Sequence, residues 1–267
     1  MAEADDFARE VAAYARELAD AADAITLPAF LAGAVAEAKA DGTPVTEADT
    51  AVEALIRGRL AGRYPDHAIL GEELGSVAGS AAGAETRWII DPIDATMNFT
   101  RGIQVWATLI AVEHRGQLVA SVVSAPGIGQ RWWAVRGAGA TTLRGGRESR
   151  LAVSSVSRLE DAHLGHSGIK ALDADGRGAG VRAVIGRARR DRGLGDFWGY
   201  MLVAQGAADA MFEVGLKPWD LAAPALIVTE AGGRFTDLDG VDQPFGPSAL
   251  ATNGRLHDEL LALLARS

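Results

Sequence analysis

The hydrophobic pattern first changes period at Tyr64-Pro65, and that break points to a mixed α/β architecture. Before it, apolar residues recur at helical spacing. Phe7, Val11, Tyr14 and Leu18 form an i, i+4, i+7, i+11 stripe, which predicts an amphipathic first helix. A stretch rich in small residues follows and reads as a loop ending near Asp41-Gly42-Thr43-Pro44. Thr46 precedes Asp49 by three, the spacing of a capping box. Val52, Leu55, Ile56 and Leu60 continue it as a second helix, closed by Tyr64-Pro65.

Beyond Pro65, short apolar runs alternate with turn residues. Ala68-Ile69-Leu70 stops at Gly71, and Trp88-Ile89-Ile90 stops at Asp91-Pro92. Runs 105–112 and 118–123 flank His114-Arg115-Gly116, and 131–135 is a further run. They predict a largely antiparallel meander, with the Gly/Ala/Ser-rich segment 75–86 as a loop. The second half opens near Leu151. It predicts strands at 162–164 and 181–185 around a polar, Gly-rich loop, a helix at 196–205 and a strand at 208–212. A helix over 218–230 stops at Gly232-Gly233, and a strand pair and a helix at 256–264 finish the chain. The expected halves are 1–145 and 146–267, with no internal repeat.

With 267 residues the chain can bury a core without staples. It has no cysteine, which excludes disulfides, thiolate zinc sites, iron–sulfur clusters and a cysteine nucleophile. The 35 acidic and 26 basic residues give a net charge of −9, which argues against a nucleic-acid partner. No apolar run approaches a membrane span. The acidic start Met1-Ala2-Glu3-Ala4-Asp5-Asp6 lacks the basic and apolar regions of a secretory signal. The expectation is a cytoplasmic protein with no membrane partner. The five histidines show no ligand spacing, and the close pair His163 and His166 reads as surface or loop.

Three acidic clusters stand at chain breaks: Gly71-Glu72-Glu73, Asp91-Pro92-Ile93-Asp94-Ala95-Thr96, and Trp219-Asp220. Singly, each reads as a turn, a solvated face or a helix cap. Together, each ending a strand or starting a helix, they read as a site. Asp91 and Asp94 flank a Pro-Ile turn that can bring both carboxylates and the Ile93 carbonyl to one point. Such hard oxygen ligands suit Mg²⁺. The free N–H groups of a helix starting after Asp94 would favour a phosphate.

These clusters, with Trp88-Ile89-Ile90 and Asn98-Phe99, the run Trp219-Asp220-Leu221-Ala222-Ala223, and Glu230-Ala231-Gly232-Gly233, resemble the inositol monophosphatase superfamily. Lys39, Asp41 and Pro44-Val45-Thr46-Glu47-Ala48-Asp49 match a fourth element. Within the superfamily the chain is most similar to the bacterial histidinol-phosphate phosphatase branch, through 43–49, 98–110 and 195–200. The resemblance implies an α/β (α+β) fold, a layered α-β-α-β-α sandwich, forming a homodimer. It implies Mg²⁺-dependent hydrolysis of a small phosphate monoester with two or three ions. Glu72, Asp91 and the Ile93 carbonyl would hold the first ion; Asp91, Asp94 and Asp220 the second. Glu72, Thr96 and Asp91 would form the catalytic group, one cation lowering the pKa of the attacking water and the other stabilising the leaving oxygen. The amides of Ala95 and Thr96 would hold the phosphate, and Glu213 and Asp220 would border the leaving alcohol. Asp196 would meet a cationic or imidazole-bearing tail.

Three residues depart from the pattern. Ala95 replaces a family glycine, and a positive φ there would strain it by about 1 kcal/mol or more. Met97 stands where small or basic residues are usual. Pro224 falls inside the Asp220 helix, which is therefore expected to start at Trp219 or later, or to be distorted. The main reading is a histidinol-phosphate phosphatase. The alternatives are an inositol or cyclitol monophosphatase, a phosphatase of a specialised sugar or nucleoside phosphate, and a catalytically weakened phosphate-binding homologue.

Overall fold

The computed structural model describes residues 2–39, 42–77, 79, 84–242 and 245–265, with side chains from residue 6 onward. The chain divides into two compact units, Met1–Ser149 and Arg150–Ser267.

In the first unit, helix α1 spans Ala2–Ala32 and runs through the small-residue stretch expected as a loop. That stretch is alanine-rich, and alanine is the strongest helix former. Ala19, Ala22 and Thr26 continue the buried stripe. Pro28 removes one late donor, and Gly33 at φ +79° ends the helix. Strands β1 (Glu37–Ala38) and β2 (Pro44–Val45) pair antiparallel; Asp41 lies outside the described residues. Helix α2 (Glu47–Arg63) starts on the expected capping box, the Thr46 N–H donating to Asp49 Oδ2 at 2.8 Å.

Among the described residues, eight strands follow in one sheet: β3 (Ala68–Gly71), β4 (Ser76–Val77), β5 (Thr86–Asp94), β6 (Ala107–His114), β7 (Gln117–Ala125), β8 (Gln130–Val135), β9 (Gly139–Arg144) and β10 (Arg147–Arg150). A short helix, α3 (Thr96–Thr100), leaves the end of β5. The sheet order is β10-β9-β8-β7-β6-β5-β3-β4. The pairing is the expected antiparallel meander except for β3 and β5, which run parallel. Segment 75–86 is not all loop: it contains β4 and the first residue of β5, while 78 and 80–83 lie outside the described residues. Val11, Leu18, Val52 and Ile56 from the two long helices pack on Trp88, Ile110 and Val122 of the sheet. Each such fully buried side chain contributes roughly 1.5–3 kcal/mol.

The second unit contains β11 (His163–His166), α4 (Ile169–Ala174), α5 (Gly178–Arg187), β12 (Arg190–Gly193), α6 (Asp196–Ala204), β13 (Ala210–Val214), α7 (Pro218–Glu230), β14 (Arg234–Thr236), β15 (Ser248–Thr252) and α8 (His257–Leu263). Its sheet order is β12-β11-β13-β15-β14. The first three strands are parallel. Their carboxyl ends therefore lie at one edge, the usual ligand edge of a parallel sheet.

Four expectations are corrected by the second unit. The run 181–185, read as a strand, lies within α5. Val181 and Val184, three apart, bury one helical face in a core with Leu172 and Leu260. The loop before it contains α4. His163 and His166 sit on β11; His166 is buried, with Nδ1 2.6 Å from the Ser167 carbonyl and Nε2 3.3 Å from Asp191. Helix α7 begins at Pro218, not later, because proline fits the first helical position. Pro224 is tolerated inside it, where burial of the whole run from Leu221 to Val228 offsets one missing donor. No helix among the described residues is long and apolar enough to cross a membrane.

Candidate active site

A regular strand would place Asp91 and Asp94, three apart, on opposite faces of the sheet. Strand β5 avoids this with a register shift. Asp91 pairs with Leu109 and Asp94 with Ala107, so three steps on β5 match two on β6. One extra residue reverses the parity. Pro92 belongs at such an irregularity because it has no N–H for the ladder, and its carbonyl accepts from Thr108 Oγ1 at 2.7 Å. The outcome is two buried carboxylates with oxygens within 4.8 Å of one another. Their charges repel at that separation, and a divalent cation removes the repulsion. The donor set fits a hard ion: it is carboxylate oxygen, with no nitrogen or sulfur.

The turn after β5 is held from beneath by Ile93, Phe99 and Trp106, which form a small core with Ala48 and the edge of Phe30. Thr96 Oγ1 donates to the Ile93 carbonyl at 3.0 Å. Ala95 accepts from the N–H groups of Asn98 and Phe99 at 2.8 and 3.1 Å. Its φ is +65° and ψ +46°, so alanine occupies the left-handed region that glycine occupies without strain. The strain anticipated for a positive φ is therefore present. Ala95→Gly is expected to raise the thermal midpoint by up to about 3 °C, since relief of about 1–2 kcal/mol of strain exceeds the added unfolded-state entropy of about 0.4–1 kcal/mol. An unchanged or lower midpoint in a melting experiment would contradict this. Met97 is exposed at the mouth of the same turn.

Glu72 follows β3, its N–H bonded to the Ile90 carbonyl at 3.2 Å, so the parallel pairing sets it beside β5. Lys39 Nζ lies 2.8 Å from Glu72 and 2.7 Å from Glu73. Burial opposes the lysine charge, yet hydrogen bonds and charges from both glutamates outweigh it and hold the ammonium above the ordinary lysine range. Burial pushes Glu73 up to about 7, against its bond to Lys39. Asp49 is pushed to about 6, also by burial and against its bonds from Thr46. The sequence reading singled out Lys39 but not this ion pair. It missed the neighbouring Glu53, which lies four residues from both Asp49 and Arg57 on α2 and so on one helical face.

In the second unit, Glu213 is buried on β13 and Asp196 opens α6 at φ +61°. The Glu213 carboxylate takes two donors: the backbone N–H of Asp196 to Oε1 at 3.5 Å, and the Tyr200 hydroxyl to Oε2 at 3.1 Å. Burial, then the charge of Asp196, pushes Glu213 up to about 8. Burial raises Asp196 too. Asp220 sits in the first turn of α7, where its Oδ2 accepts from the Lys217 N–H at 2.7 Å.

The sequence matches the Inositol monophosphatase family over residues 8–267. It is 50% identical over 256 residues to a histidinol-phosphatase of Streptomyces coelicolor, covering 94% of this chain and 95% of that one. It is 47% identical over 251 residues to a histidinol-phosphatase of Mycobacterium tuberculosis, covering 92% and 95%. Among solved structures it is similar to the extragenic suppressor protein suhB from Bartonella henselae (TM-score 0.83, 29% identity, 95% and 97% coverage). It is also similar to the Thermotoga maritima IMPase (TM-score 0.81, 28% identity, 93% and 94% coverage). The bulged aspartates, the Glu72 turn and the helix-borne Asp220 thus stand in a chain that matches one family model over residues 8–267: the protein belongs to the inositol monophosphatase family.

Proposed function

We propose that the chain is a Mg²⁺-dependent phosphoric monoester hydrolase whose substrate is histidinol phosphate. The observation that carries the substrate is the identity of about half, over nearly the full length, to two proteins named histidinol-phosphatase. Relatives named inositol-1-monophosphatase match at 34–36%. They support cyclitol phosphates as the second reading.

In this proposal Asp91, Asp94, Glu72, the Ile93 carbonyl and Asp220 hold two or three Mg²⁺ ions. When bound, the ions would activate the attacking water and stabilise charge on the leaving oxygen. The chain's own groups do the rest. Thr96 Oγ1, anchored at the Ile93 carbonyl, orients the water together with Glu72. The backbone N–H groups of Ala95 and Thr96 orient the phosphate. Glu213 and Asp196 receive the leaving alcohol and its cationic amine or imidazole, which offsets one buried and one half-buried carboxylate. The same proposal includes a homodimer and a cytoplasmic location.

A phosphate-release screen of the purified chain tests it, using histidinol phosphate, inositol monophosphates and nucleoside monophosphates, with Mg²⁺ and with a chelator. Histidinol phosphate is expected to lead by about tenfold or more in kcat/KM, a ratio that paired polar recognition readily supplies. The chelator is expected to stop release. A lead for inositol phosphates would support the second reading. No release from any substrate would overturn hydrolysis in favour of a ligand-binding role.

A further inference from the structure

We propose that Glu53 is a positioning residue for Glu72, acting through the backbone of the turn that carries it. The inference rests on the assignment of Glu72 to the cation site proposed above. Glu53 lies on α2, its side chain fully buried. A buried carboxylate beside Val52, Ile56 and Leu60, which the same helix presents to the core, needs a reason. Its partners supply one. Oε2 accepts the N–H of Glu73 at 2.7 Å, and Oε1 accepts the N–H of Leu74 at 3.1 Å. Arg57, one turn along, donates Nε to Oε1 at 2.8 Å and reaches the Gly75 carbonyl with its Nη2.

Glu72 is thereby fixed from both sides. Upstream, the Gly71 N–H donates to the Gly75 carbonyl at 3.1 Å and the Glu72 N–H to Ile90 at 3.2 Å. Downstream, the next two N–H groups end on one side-chain carboxylate of another element. Gly71 records how close that carboxylate comes. A Cβ built on Gly71 would overlap the Glu53 carboxylate, all three of whose atoms crowd it. Gly71 has no positive φ, so backbone conformation does not require glycine there. The approach of Glu53 does. The glycine of the Gly71-Glu72-Glu73 cluster and the glutamate of α2 are one device, which holds the Glu72 carboxylate at a fixed height beside β5.

The test uses the full chain and the variants Glu53→Gln, Gly71→Ala, Glu53→Ala, the Gly71→Ala/Glu53→Ala double variant and Arg57→Lys. In Glu53→Gln an amide donor faces a backbone donor. The Glu73 and Leu74 amides are expected to exchange hydrogen at least about tenfold faster, while those of Ile89 and Ile110 do not change. The Mg²⁺ concentration for half-maximal rate is expected to rise about 10- to 100-fold, with kcat at saturating Mg²⁺ within about threefold of the parent. Direct Mn²⁺ binding should weaken in parallel. Gly71→Ala is expected to reproduce the shift in the parent background and to add almost nothing in Glu53→Ala, where the space is free. If Glu53→Gln does not fold, Arg57→Lys, which keeps the charge and loses the forked contact, should give the same shift in smaller measure. Unchanged amide exchange, or unchanged Mg²⁺ half-saturation in a folded variant, would overturn the proposal. So would equal effects of Gly71→Ala in both backgrounds. If the parent itself releases no phosphate, the proposed hydrolysis fails, and amide exchange with Mn²⁺ binding still decides the role of Glu53.

Discussion

Asp94→Asn is expected to reduce Mg²⁺-dependent phosphate release by about 10³-fold or more, some 4 kcal/mol of transition-state stabilisation, without loss of the folded state. The substitution is isosteric, so packing against Ala107 across the β5 irregularity survives. What disappears is one of two charges whose oxygens lie within 4.8 Å. Their closeness costs folding energy unless a cation offsets it, so the asparagine variant should be at least as stable as the parent without Mg²⁺. It should gain far less thermal stability when Mg²⁺ is added, because ligand linkage follows affinity. Asp220→Asn is expected to produce the same loss of activity. Its Oδ2 accepts from Lys217, and the asparagine carbonyl retains that acceptor. Kinetics and melting curves with and without Mg²⁺ check both variants. Turnover near the parent level in either would remove that residue from the cation site.

The same stretch of β5 shows what the sequence could and could not disclose. Asp91-Pro92-Ile93-Asp94 was legible as a place where two carboxylates converge, because proline marks a break in the ladder. The mechanism of convergence, one extra residue reversing strand parity, was not legible, because the partner strand supplies the count. Helix α2 was legible from Thr46 and Asp49, since a capping box is local chemistry. Helix α1 was cut short because small residues look like loop when the surface they pack on is unknown; Ala19 and Ala22 are buried there. At 181–185 a short Val/Ile run favours a strand by local preference, and packing on Leu172 and Leu260 overrides it. Strands β9, β10 and β12 went unread for the opposite reason. Gly139–Arg144, Arg147–Arg150 and Arg190–Gly193 are largely polar, and only pairing with a neighbour makes them strands. Glu53 carried no motif, and its role exists only where α2 meets the Glu72 turn.

Asp196→Ala is expected to lower kcat/KM for histidinol phosphate by about 100-fold and for an inositol monophosphate by less than about tenfold, since removing one partner of a buried charge pair costs about 2–5 kcal/mol. The asymmetry follows from the state of the free pair. Burial and the Asp196 charge push Glu213 up to about 8, so at pH 7 the pair holds a proton on Glu213. The linkage sign is fixed by that shift. The folded chain binds this proton more tightly than the unfolded chain does. Its stabilising effect is full below about 4.5 and is lost as pH rises through about 8. A cationic substrate tail opposes the shift, because it stabilises the ionised form of Glu213 and makes the proton redundant. Binding of histidinol phosphate should therefore release a proton near pH 7, and its affinity should rise toward pH 8. A neutral polyol offers no charge to replace the proton and should bind without release. Calorimetry in two buffers of different ionisation enthalpy measures the proton count for each ligand. Glu213→Gln should abolish the release, together with the stability slope between about pH 4.5 and 8. Equal losses on both substrates in Asp196→Ala, or equal proton counts in the parent, would show that the carboxylate pair does not select for a cation, and substrate choice would then have to come from groups other than Asp196 and Glu213.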